Sequence, residues 1–194
     1  MTGLATKIER TLWSIGFACA GYLLFAAAQA QVFHHRAEDL SAAGPAATQA
    51  ASGAVIGRVE IPDLHLSVAV LEDDQAKSLL RGLGHVRGTA ELGGLGTAGL
   101  AGHRDTFLRP LRKVAAGMEI RATSAAGVYH YVVDSTEIVM PETVDVLAIR
   151  SRPELTLITC YPFNYVGAAP KRFVVHAHLV SVSPDTVATM RTPR

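Results

Sequence analysis

Cysteine is scarce in this 194-residue sequence: Cys19 and Cys160 carry all of its thiol chemistry. Cys19 falls in an apolar stretch near the N-terminus and Cys160 in the part of the chain patterned to fold, so no disulfide within the chain is expected. An excess of one charge is also missing. Lys and Arg number 18 against 17 Asp and Glu, a formal net charge of +1, and no basic cluster offers the field that a nucleic-acid surface requires. No internal repeat is present. The glycines of Gly93-Gly94-Leu95-Gly96 lack a following Lys-Ser or Lys-Thr and a strand-to-helix context, which argues against a phosphate loop. There is no dense group of carboxylates of the kind that builds an oxygen cage for calcium, so no metal and no cofactor is expected.

What the sequence does have begins with a long apolar run. Residues 11–31 contain no charged side chain, and the interior 12–30, at about 1.5 Å per helical residue, is long enough to cross a hydrocarbon core of roughly 30 Å. Lys7 and Arg10 precede it, and Trp13 and Tyr22 suit interfacial positions, so residues 1–11 are expected in the cytoplasm and the bulk of the chain outside. Ala28-Gln29-Ala30 also fits the small-x-small pattern of a cleaved secretory signal. The run exceeds the roughly 7–15 residues of a signal core, which favours an uncleaved single-pass anchor. Both readings export the remainder of the chain. Residues 31–52 are Ala-, Gln-, Ser- and Thr-rich around Gly44-Pro45 with no apolar period, and read as a flexible tether.

Residues 53–183 form the one folded domain expected, followed by a tail at 184–194. Val55, Ile56, Val59 and Ile61 make a strand that closes at Pro62-Asp63, and residues 66–71 make its hairpin partner. Asp73 or Asp74 caps a short helix through Leu80. The glycine-rich stretch 82–102 holds one or two brief strands, and Pro110 limits the next helix to a turn or two before Lys113. Residues 118–123 and 128–137 form a second hairpin about the turn 124–127. Residues 143–149 bridge to a buried strand at 156–160. In the last strand Phe173, Val175, Ala177 and Leu179 alternate with Arg172, Val174, His176 and His178. Seven or eight short strands with one or two short helices imply an all-β barrel or sandwich, and a closed barrel leaves no exposed edge.

The run Thr156-Leu157-Ile158-Thr159-Cys160 is bracketed by Pro153 and Pro162 and ends on the thiol. Cysteine acts as a nucleophile through its thiolate, which needs a basic or cationic setting. A solitary thiol in an exported domain is open to oxidation unless buried, and its place at a strand end points to use rather than to packing as a small hydrophobe. His103, after the apolar run that ends in Ala101-Gly102, offers the proton acceptor; His85 is its nearest competitor. Arg172 stands twelve positions beyond Cys160, a spacing that suits a strand, an excursion and an adjacent antiparallel strand. Its planar fork of donors suits a developing oxyanion or a substrate carbonyl. Residues 161–171, with Pro162, Gly167 and Pro170, would form one wall of a groove.

Together the Thr156–Cys160 string, Ala101-Gly102-His103-Arg104-Asp105-Thr106-Phe107, Cys160-Tyr161-Pro162-Phe163 and an arginine before the last strand resemble the sortase family, most of all its class D. The resemblance spans roughly residues 57–182. It implies an eight-stranded β-barrel on a membrane anchor, acting as a cysteine transpeptidase at the cell envelope. The implied partners are a protein substrate bearing an LPxTG-like sorting signal and an amine acceptor in the wall or on another protein. By the same resemblance Cys160 is the nucleophile, His103 the acid and base, and Arg172 the substrate-orienting and oxyanion-stabilising group. Residues 31–52 carry no Asp-Pro-aromatic lid motif, so an open groove is expected. Two other cysteine chemistries fit less well: L,D-transpeptidases place arginine two positions after cysteine, where Pro162 stands, and papain-like peptidases put cysteine before histidine. The alternative outside enzymes is a non-catalytic envelope-anchored β-domain that binds or assembles, which expects a hidden Cys160.

Overall fold

Short runs of β-branched and aliphatic residues, each ended by Gly, Pro or Asp, produce eight strands. The computed structural model describes residues 52–184, together with Trp13, Gly16, Ala20 and Gly21. Those four N-terminal residues are helical. Otherwise the expected anchor at 12–30, the tether before Ser52 and the tail beyond residue 184 lie outside the described residues. Among the described residues no helix is long and apolar enough to cross a membrane.

The strands are β1 (Val55–Ile61), β2 (Leu66–Leu71), β3 (Leu83–His85), β4 (Thr97–Gly102), β5 (Glu119–Ser124), β6 (Gly127–Val139), β7 (Glu154–Tyr161) and β8 (Lys171–Ser183), with one helical turn, α1 (Ala76–Leu79), after β2. They close into a barrel in the order β1-β2-β3-β4-β7-β8-β6-β5. The hairpins β1–β2 and β5–β6 form as the sequence predicts, and the glycine-rich stretch supplies two strands. The pattern did not disclose the two parallel pairs, β2 with β3 and β4 with β7. Parallel neighbours need a crossover; between β2 and β3 it is a loop with the turn α1, and between β4 and β7 it carries the whole β5–β6 hairpin. The helix expected before Lys113 is a 3-10 turn, Arg109–Lys113, entered through Pro110.

Alternation along the strands sends one face inward. Leu100 of β4, Leu155 and Leu157 of β7, Val175 of β8, Ile61 of β1 and Tyr131 of β6 meet in one core and are fully buried. Burial of each such aliphatic side chain contributes about 1.5–3 kcal/mol. The predicted alternation of β8 is met: Val175 and Ala177 lie in the core, and Phe173 and Leu179 pack against it. Val174, on the opposite face, is nevertheless fully buried.

Candidate active site

β7 lies between β4 and β8, and its register decides what its last residues face. With β4 it runs parallel through the pair Gly102 and Thr159; with β8 it runs antiparallel and pairs Cys160 with Arg172. His103 follows Gly102, so it occupies the rank beside Cys160 on the other flank. Inward positions in these strands are Leu100, Leu155, Leu157 and Val175, and alternation therefore puts His103, Cys160 and Arg172 on the outer face at one end of the barrel. The three sequence-predicted residues thus lie on three adjacent strands or their ends. Facing cross-strand residues have Cβ atoms about 4.5–5.5 Å apart. Cys160 is a free thiol, half-buried at the strand end.

Threonines 156 and 159 fix this arrangement from opposite faces. The buried Thr159 Oγ1 donates 2.8 Å to the Gly102 carbonyl, tying β7 to β4 one rank before Cys160 and His103. Gly102 itself admits no side chain: a Cβ there would lie 2.7 Å from Leu83 Cδ2 and 2.9 Å from Leu108 Cδ1. Thr156 points outward, yet it is buried. Its Oγ1 donates 3.3 Å to the Val146 carbonyl and lies 3.3 Å from His176 Nδ1, whose Nε2 is 2.8 Å from Glu137 Oε1. The 3-10 turn Asp145–Leu147 is thereby held over the outer face of β7. Leu147 rests against Gly99 of β4, where a Cβ would approach Leu147 Cδ2 to 2.6 Å. Between this turn and the Cys160 rank the outer face carries half-buried Ala101 and Ile158 beside buried Val174, an apolar stretch leading to the thiol.

The loop after Cys160 is built on two arginines. Arg172 Nη1 donates to the carbonyls of Ala169 at 3.2 Å and Lys171 at 3.0 Å. Arg104, 4% exposed, donates to Pro162 at 3.0 Å, to Tyr165 and to Gly167 at 3.3 Å, all main-chain carbonyls, and pairs with Asp105 at 3.2 Å. Its guanidinium also sits 5.9 Å from the centre of the Tyr165 ring. Tyr161, Phe163 and Phe173 pack ring against ring, with centroids 5.2–6.4 Å apart, and Phe163 and Phe173 rest on the core. Arg104 is the residue that sequence reasoning passed over. It stands in the Gly-His-Arg-Asp string, but its partners are backbone oxygens some 60 positions on, which carry no side-chain signature.

His85, the competitor, is elsewhere engaged. It is 7% exposed on β3, with Nε2 2.9 Å from the Ala90 carbonyl and 3.1 Å from Thr89 Oγ1, and it braces the β3–β4 loop. An open groove of about 700 Å³ lies toward the other end of β7, with Asp134, Glu137, Asp145, Arg150, Glu154 and His176 among its walls. None of the three predicted site residues lines it. Its charges are largely paired with one another, as in Arg152 to Glu154 at 2.8 Å. Among the described residues no group of three or more His, Cys, Asp or Glu side chains is arranged to hold a metal ion.

A family model described as Sortase domain matches residues 59–180. Sortase D of Bacillus subtilis (strain 168) is 32% identical over 131 residues, which cover 67% of this chain and 66% of that protein. The chain thus spans just under two thirds of that relative's length. Among solved structures, sortase A of Listeria monocytogenes superposes with a TM-score of 0.63 at 28% identity, covering 69% of this chain and 92% of that one. Sortase E of Streptomyces avermitilis gives 0.60 at 29% identity, covering 74% and 97%.

Proposed function

Since the chain belongs to the sortase family and is class D-like, we propose that it is a membrane-anchored cysteine transpeptidase of the cell envelope. In this reading it cleaves an LPxTG-like sorting signal through a Cys160 thioester and passes the acyl group to an amine. The observation that carries the reading is the pairing of Cys160 with Arg172 across β7 and β8, with His103 at the adjoining rank of β4.

The chemistry follows from that rank. Cys160 as thiolate attacks the scissile carbonyl; the carbonyl oxygen takes up negative charge, and Arg172 answers it. Both of its loop bonds come from Nη1, which leaves Nε and Nη2 to face an oxyanion. One such donor is worth about 10²–10³ in kcat. As the tetrahedral species collapses the C–N bond breaks, and His103 gives its proton to the leaving amine. The acyl group then rests on sulfur. An incoming amine surrenders a proton to His103, bonds to the carbonyl carbon, and expels the thiolate as the C–S bond breaks. The half-buried apolar stretch of Ala101 and Ile158 suits an aliphatic side chain upstream of the scissile bond.

A non-catalytic binding domain would hide its thiol, whereas Cys160 is accessible in part. The test uses the full chain in detergent micelles with quenched peptides bearing candidate sorting signals, with and without an amine. Peptide release stimulated by hydroxylamine, and a thioester adduct on Cys160 by mass spectrometry, are the expected results. Both vanish in Cys160→Ala, and the rate falls by about 10²–10⁴ in His103→Ala, the range for a general acid–base. Absence of any thioester with every signal tried rejects the enzyme in favour of the binding domain.

A further inference from the structure

We propose that Arg104 is a positioning residue: it holds residues 162–167 as a fixed wall beside Cys160 and so sets how the acyl group divides between an amine and water. The proposal rests on the acyl-transfer reading of the site. A buried cation persists only when paired and hydrogen-bonded. The Arg104 side chain is 5% exposed, while that of its carboxylate partner Asp105 is 67% exposed and sits at the rim. Its other donors all go to loop carbonyls, those of Pro162, Tyr165 and Gly167. These are main-chain oxygens of a segment with no strand neighbour, so one guanidinium stands in for a sheet ladder.

The consequence is mechanical. Arg104 is joined by a peptide bond to His103, and the far end of the same loop is tied by Arg172 to Ala169 and Lys171. Acid–base group, loop and oxyanion donor therefore hold their places as one unit, with Cys160 at the loop's start. Val166 and Tyr165, 95% and 45% exposed, give the wall an apolar rim. Once the thioester exists, two acceptors compete for its carbonyl carbon. An amine forms a C–N bond and water a C–O bond; in each case C–S breaks, a proton passes to His103 and the thiolate is restored. A wall that stays shut favours the bound amine over bulk water.

The experiment compares wild type, Arg104→Lys and Arg104→Met as full chains in micelles. Thioester, amide and hydrolysed acid are measured in one reaction, and amide hydrogen exchange is followed at residues 163–167. In Arg104→Met, exchange in that segment rises, a thioester still forms, and the ratio of amide to acid falls by about tenfold or more, since a misplacement of about 1 Å costs on the order of 10²-fold. Arg104→Lys recovers part of the ratio. The ratio does not depend on how much protein is folded, so a merely structural role would lower both products and leave it unchanged; that result overturns the proposal, as does unchanged exchange in the loop. Should the Arg104 variants fail to fold, Asp105→Ala removes the rim carboxylate from Nε, and the same ratio decides, falling if the proposal holds and unchanged if it does not. A wild-type chain that forms no thioester sinks the enzymatic reading and the partition with it, whereas loop exchange still reports on the clamp by itself.

Discussion

Thr159 joins the two flanks of the proposed site through one hydroxyl. Its bond to the Gly102 carbonyl is buried and lies one rank from both Cys160 and His103. Thr159→Val keeps the shape and removes the donor, a loss of about 0.5–1.5 kcal/mol for one hydrogen bond. Chemical denaturation is expected to show that loss of stability, and peptide cleavage a fall in kcat larger than any change in KM. Much of the proposed site stood in the sequence as an expectation. The thiol, the imidazole and the arginine stood out because each side chain carries its own chemistry, and strand ends could be read from the flanking prolines and glycine. Arg104 was not, because its role is defined by three backbone carbonyls that only the folded loop turns toward it. Spacing alone left His85 beside His103; the resemblance chose His103, and the burial of His85 against Ala90 and Thr89 agrees.

At the scale of elements, α1 shows how a short helix is held and where the barrel takes up the chain before it. Asp73 or Asp74 was expected to cap this helix; the N-cap is instead Gln75, with no side-chain cap bond, and Asp73 Oδ1 accepts the Gln75 N–H at 3.0 Å just before it. The Ser52 hydroxyl foremost, then that of Ser78 and the N–H groups of Gln75 and Gly53, hold the Asp73 carboxyl down at about 2, from an ordinary value of 3.8. A carboxylate lowered on folding contributes stability that is complete above its ordinary value and is lost as pH falls through the folded one. Unfolding midpoints followed between pH 5 and 2 should therefore decline fastest below 3.8, and Asp73→Asn should flatten that limb while lowering the plateau. A variant with the wild-type slope would refute this role for Asp73. The pairing of β7 with β4 belongs to this scale too, and no local pattern announced it. Leu155, Leu157 and Leu100 are apolar whichever way their strands run, so the choice of a parallel neighbour falls to the closed barrel as a whole.

The whole molecule depends on the barrel interior staying dry, and Tyr131 reports on it. This fully buried phenol takes the Gly93 N–H at 2.8 Å, and burial pushes it up to about 12 from 10.0. For an acid raised on folding, stability is constant below the unfolded value and lost as pH climbs through the folded one. Circular dichroism should accordingly find the barrel intact to about pH 10 and weakening from there to about 12, by roughly 2–3 kcal/mol in all, while Tyr131→Phe removes this part of the alkaline loss. Phenolate absorbance before unfolding that Tyr131→Phe lacks would count against it. The fold class was legible because each strand's alternation is a local matter; closure was not, since β1 meets β5 and β4 meets β7 across long separations. That topology has a temporal side. Cys160 and Arg172 belong to the last two strands, and His103 finds them only when a segment made much earlier accepts β7 alongside it. A nascent chain halted before β8 therefore holds only part of the proposed reactive centre, and on that reading the order of synthesis delays the thiol's activation until the scaffold around it is finished.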